Sequence, residues 1–168
     1  MLPPDRNLQQ NFFISEFAKA NRDFALVNSK IYVSSQRGFE PMKSTLNMKP
    51  EIKSFHPEDE YYFKEGCHII EVSNSNNDEH LSIARARVEP QHTTAWHQLK
   101  NTVERYVILE GTGKVEIGGL HPAMVSAGDV VVIPQQTKQR IQNTGERDLI
   151  FLAICSPRFN SDNYQALQ

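Results

Sequence analysis

Residues 93–113 read TTAWHQLKNTVERYVILEGTG, and this stretch decides the fold. It has the layout of a strand, a loop, a second strand and a glycine turn. Side chains two apart share a face of a strand. If 93–99 is extended, Ala95 and His97 point the same way; if 104–110 is extended, Glu104, Tyr106 and Ile108 do. A histidine on one strand facing a glutamate on the next is the beginning of a site built on rigid elements. An answering stretch at 128–143, GDVVVIPQQTKQRIQN, runs from a glycine through a continuous apolar strand to a proline turn and a further strand.

Outward from these two stretches the pattern repeats. Residues 67–73 are strand-like and are closed by the polar cluster SNSNNDE. In LSIARARVEP, 81–90, Ser82, Ala84, Ala86 and Val88 share one face, and Ile83, Arg85, Arg87 and Glu89 the other. The small face is expected inward and the arginines outward, in water or paired with acids. The alternative turns Arg85 and Arg87 into the interior as a carboxylate or phosphate clamp. The 104–110 strand is apolar on both faces, which suggests cover on both sides, by another sheet or a partner subunit. Short strands also read at 114–117, 124–125, 129–133, 139–143 and 149–156. Many short strands joined by close glycine turns predict an all-β barrel or sandwich.

The two stretches resemble the signatures of the cupin family. The first signature is G-x5-H-x-H-x3-4-E-x6-G; here Glu104 stands six intervening residues before Gly111, and His97 takes the second histidine place with a longer gap to Glu104. Ala95 stands where the family has its first histidine. The second signature is G-x5-P-x-G-x2-H-x3-N; Gly128, Pro134 and Asn143 fit, while Gln136 replaces the glycine and Gln139 the histidine. The resemblance covers roughly 60–157. It implies a double-stranded β-helix, the jelly-roll barrel, in which His97, Glu104 and Gln139 converge on a divalent metal ion such as Fe, Mn, Ni or Zn. Tyr106, on the Glu104 face, is then the candidate catalytic acid–base or orienting group. The bland reading of the same residues is a satisfied polar network with no metal. His56, His68, His80 and His121 lie in polar or turn contexts, His92 has the wrong parity for a regular strand, and Trp96 reads as core or interface.

The formal charge of −2 over 168 residues, with no basic run interleaved with aromatics, argues against a nucleic-acid or anionic-membrane partner. No 18-residue apolar run and no signal-peptide layout occur, so a cytoplasmic protein is expected. Cys67 and Cys155 sit in apolar segments and read as buried reduced thiols. Residues 1–58 form an N-terminal extension, in which Leu8, Phe12, Phe13, Phe17 and Ala20 predict a short amphipathic helix over 7–20. Residues 31–34 could form a short strand and 37–41 read as loop or turn. The barrel is expected over 59–157 and a tail over 158–168. Three functions fit: a metal-dependent small-molecule enzyme, a small-ligand-binding barrel without turnover, and an interaction protein that forms a homodimer.

Overall fold

The computed structural model describes residues 49–168 throughout, together with the backbone of three strands at 24–27, 30–35 and 38–41. Two compact units are present, 1–47 and 48–168. In the first, β1 (Phe24–Val27), β2 (Lys30–Ser35) and β3 (Gly38–Pro41) form an antiparallel sheet in that order. The loop expected over 37–41 is therefore corrected to a strand over 38–41. Its glycine and proline read as breakers, but β3 is an edge of this sheet, where a missing N–H is tolerated. The helix expected over 7–20 lies outside the described residues.

The second unit is all β apart from single 3-10 turns at Pro57–Asp59 and Ser161–Asn163. Its strands are β4 (Tyr61–Phe63), β5 (Cys67–Ser73), β6 (Ser82–Val88), β7 (His97–Leu99), β8 (Val103–Glu110) and β9 (Thr112–Ile117). They continue as β10 (Ala123–Ser126), β11 (Val130–Ile133), β12 (Gln139–Asn143), β13 (Leu149–Ser156) and β14 (Tyr164–Ala166). A six-stranded sheet runs β11-β8-β13-β6-β5-β4, and a five-stranded sheet runs β10-β9-β12-β7-β14. All pairings are antiparallel. This is a jelly roll.

The alternation in the sequence explains the layering. In β8, Glu104, Tyr106 and Ile108 are buried while Val103, Arg105 and Val107 are half-buried; in β12, Gln139, Ile141 and Asn143 are buried. The inward residues Ile108, Ile133, Ile141 and Leu149 are almost wholly excluded from water. Each such side chain contributes about 1.5–3 kcal/mol. The outer face of β8 is less covered than its apolar pattern suggests. Leu109 is 42 % exposed, and Val130 and Val132 on the adjoining β11 are 58 % and 55 % exposed.

Two signature residues do structural work at the far end of the barrel. Gly111 holds φ +85°, and a Cβ there would stand 2.7 Å from the Asp148 carbonyl oxygen, so no other residue fits. Buried Asn143 donates to the Val88 carbonyl at 2.9 Å and the Arg147 carbonyl at 2.8 Å, and accepts from Gly145 N–H at 2.9 Å. It ties the β12–β13 turn to β6.

Arg85 and Arg87 point outward, away from the buried Ser82, Ala86 and Val88. Arg87 grips Glu60 at 2.6 Å and 3.0 Å and reaches Asp148 at 3.4 Å, while Arg85 meets Glu60 at 3.5 Å. The Arg87 guanidinium holds the Glu60 carboxyl below its usual range, with burial opposing it and Arg87, His68 and Arg85 adding charge. The interior-clamp alternative is excluded.

Candidate functional site

His97 is the first residue of β7 and lies directly opposite Gln139 on β12. Glu104 on β8 is paired across the six-stranded sheet with Cys155 of β13 and with Ile133 of β11. These registers bring the sequence-derived residues to one end of the barrel interior. Gln139 Nε2 donates to Glu104 Oε2 at 2.6 Å, and Tyr106 OH donates to Gln139 Oε1 at 2.9 Å. Tyr106, Gln139 and Glu104 are thus one buried chain of hydrogen bonds.

His97 engages a different carboxylate. Its Nδ1 lies 2.9 Å from the Ala95 carbonyl oxygen, and a carbonyl only accepts, so Nδ1 bears the hydrogen. Nε2 then faces Glu65 Oε2 at 3.4 Å. Ala95 does not sit beside His97 on the inner face as an extended 93–99 would require. The strand begins only at His97, and Ala95 is exposed. The Ala95 N–H is drawn to the Glu65 carbonyl at 2.6 Å and the Thr94 N–H to the Ile141 carbonyl at 2.9 Å, which bends the approach to β7.

Sequence reasoning missed Glu65. It lies in the turn between β4 and β5, where Gly66 at φ +94° breaks the strand alternation, so no period-two pattern pointed to it. Cys67 Sγ donates to Glu65 Oε1 at 3.2 Å, and Cys155 Sγ donates to Glu104 Oε1 at 3.8 Å. Each interior carboxyl group therefore has its own thiol. Burial, aided by the neighbouring carboxylates, pushes both thiols up. They are protonated donors and not nucleophiles. Tyr164, from the chain segment expected to be a tail, is brought in by the β14–β7 pairing and stacks on the His97 ring at 5.3 Å.

Burial, reinforced by the charge of Glu65, raises the Glu104 carboxyl to about 7 against the opposing pull of His97 and the Gln139 and Cys155 hydrogen bonds. Burial and the same two glutamates hold Tyr106 well above the phenol range, so it stays a donor. Above these groups opens a cavity of about 50 Å³, with Phe63, Phe151 and Phe159 among its walls. That volume admits a few waters or a ligand of a handful of heavy atoms.

His92 is exposed and bonded to Pro90, His56 pairs with Glu58, His68 lies between Glu60 and Glu89, and His121 is exposed. None of these four faces the cavity. Trp96 is outside as well, beneath the cations of Lys138 and Arg140.

The donor set can be tested against a metal ion. The Gln139 amide oxygen is taken by Tyr106 and Glu104 Oε2 by Gln139, while His97 Nε2, the ring nitrogen that could ligate, faces Glu65. No buried side-chain nitrogen or oxygen among the described residues lacks a partner. Among those residues no three His, Cys, Asp or Glu side chains are grouped to hold a metal. His97, Glu104 and Gln139 as arranged do not fit a divalent ion.

This chain belongs to the cupin family. The Cupin_2 family, described as a cupin domain, matches residues 84–155. The oxalate-binding protein of Thermotoga maritima is 31 % identical over 90 residues, which span 54 % of this chain and 73 % of that one. Among solved structures, the nucleoside dehydratase Pac13 of Streptomyces has a TM-score of 0.58 at 16 % identity, over 70 % of this chain and 92 % of its own. KdgF from Halomonas sp. has a TM-score of 0.54 at 21 % identity, over 60 % and 89 %. At such identities these two likenesses speak for the fold alone.

Proposed function

We propose that this protein binds a compact small molecule in the barrel, held by Glu65, His97 and Glu104, without a resident metal. The observation that carries this reading is the convergence of two carboxyl groups and an imidazole on one end of an aromatic-walled cavity. Buried polar groups destabilise a core unless they are paired, and here five side chains from three strands and one turn are spent satisfying one another beside open space. A small molecule with hydrogen-bond donors can compete for those carboxylates. The cavity volume limits it to a few heavy atoms unless the aromatic walls move.

A divalent metal on His97, Glu104 and Gln139 is the competing arrangement, and it would require the Tyr106–Gln139–Glu104 chain to come apart. A second reading, proton transfer on the bound molecule, is favoured by Glu104 alone: a carboxyl raised to about 7 gains and loses a proton at neutral pH. Tyr106 then acts as a positioning residue, fixing the Gln139 amide so that its NH2 faces Glu104.

The test is an NMR titration with a fragment library, reading the His97 ring and the methyl groups of Ala84, Ala86 and Ala153, which line the cavity. At least one fragment is expected to shift these signals, with binding at least about tenfold weaker in His97→Gln, as loss of one charge-assisted hydrogen bond implies. A library that leaves every cavity signal in place would remove the proposal.

A further inference from the structure

The lining of the cavity also specifies the charge of what it takes. Among the described residues Glu65, Glu71 and Glu104 face it, and no lysine or arginine does; His97 is the one basic side chain there. We infer that the ligand is a small organic cation, a primary amine of a few carbons whose ammonium group sits between Glu65 and Glu104. This rests on the ligand-pocket reading and narrows it.

Three observations carry the inference. First, the two interior carboxyl groups are supported only by donors without a full charge on the Glu104 side, the Gln139 amide and the Cys155 thiol. The arginines nearby in sequence, Arg85 and Arg87, are committed outside to Glu60. An anion entering this space would meet carboxylates in a low-dielectric setting with no guanidinium to offset them. An ammonium group supplies the missing counter-charge and three hydrogen bonds.

Second, the walls suit a cation. Phe63, Phe151, Phe159, Tyr61 and Tyr164 line the cavity, and aromatic faces attract ammonium groups. Two of these rings already do so within the protein. Lys64 Nζ stands 4.2 Å from the centre of the Tyr164 ring and 5.7 Å from that of Phe63. Third, the mouth carries an acid with an aromatic partner: Tyr61 OH donates to Glu71 Oε1 at 3.3 Å, and both side chains are exposed. Glu71 is thus placed to attract a cation before it reaches Glu65 and Glu104.

The experiment compares three probes of one size, propylammonium, 1-propanol and propionate, each titrated into the full chain at the same ionic strength. Shifts of the His97 and Tyr164 ring signals report occupancy. Propylammonium is expected to bind at least about tenfold more tightly than 1-propanol, and propionate to leave the rings unmoved. Glu65→Gln should abolish most of that preference. Because Glu65 is partly buried and its replacement could disturb folding, Glu71→Gln at the exposed mouth is the second variant, with a smaller loss that added salt reproduces.

Equal binding of propylammonium and 1-propanol, or tighter binding of propionate, would overturn the cation inference and leave the ligand pocket standing. Rings unmoved by all three probes at saturating concentration, in a protein whose spectrum shows it folded, would overturn both.

Discussion

Glu104 sits where burial and charge oppose each other. Its carboxyl is raised from 4.5 to about 7, and the groups facing it are Glu65, His97, Gln139, Tyr106 and Cys155. A group whose folded pKa is raised binds its proton more tightly in the native state. The resulting stability is fully present below about pH 4.5 and is lost as pH rises through about 7. Thermal denaturation between pH 5 and 8, about the window those two values bracket, should therefore show a falling Tm with a Glu104 component. Glu104→Gln is expected to flatten that fall and to make the variant relatively more stable at the alkaline end. A wild-type slope that the substitution leaves unchanged would show that another group is responsible. Glu104 itself was legible from strand parity. Its raised carboxyl was not, because burial is its main cause and Glu65, which adds to it, lies in a turn outside any strand pattern.

At the scale of elements, the alternation of buried and exposed residues was readable in β6, β8 and β12, since period two leaves one choice of face. The failures lie where the chain leaves regular strand. Residues 93–96 look extended by composition, yet hydrogen bonds to Glu65 and Ile141 bend them, and Ala95 leaves the inner face. The tail is polar and short, and only pairing with β7 makes a strand of 164–166.

The turn before β12 shows a departure of a different kind. Gln136 replaces the signature glycine and adopts φ +58°, held by an N–H bond to the Leu99 carbonyl at 2.7 Å. A left-handed non-glycine residue costs about 1–2 kcal/mol, and glycine's extra entropy takes back about 0.5–1. Gln136→Gly should therefore stabilise the protein by up to about 1 kcal/mol, read from the midpoint of urea unfolding. A clear loss of stability would mean that the turn is not strained as its backbone indicates.

For the molecule as a whole, the sheet edges matter. Among the described residues β11 is an edge strand, and its exposed Val130 and Val132 adjoin exposed Leu109 on β8. An exposed apolar edge pairs with another chain unless it is covered. The homodimer expected from the sequence has a suitable surface here, and the prediction is a concentration-dependent dimer in sedimentation that Val132→Lys converts to monomer. Wild-type protein that sediments as a monomer at every concentration would contradict it. No described helix is long and apolar enough to cross a membrane.

Elemental analysis of untagged protein tests the central claim most directly, that the carboxyl groups and imidazole of the barrel serve a small molecule and not a metal. Iron, manganese, nickel and zinc are expected far below one atom per chain, unchanged in His97→Ala and Glu104→Ala. One tightly held atom per chain in the wild type, lost in both variants, would contradict it.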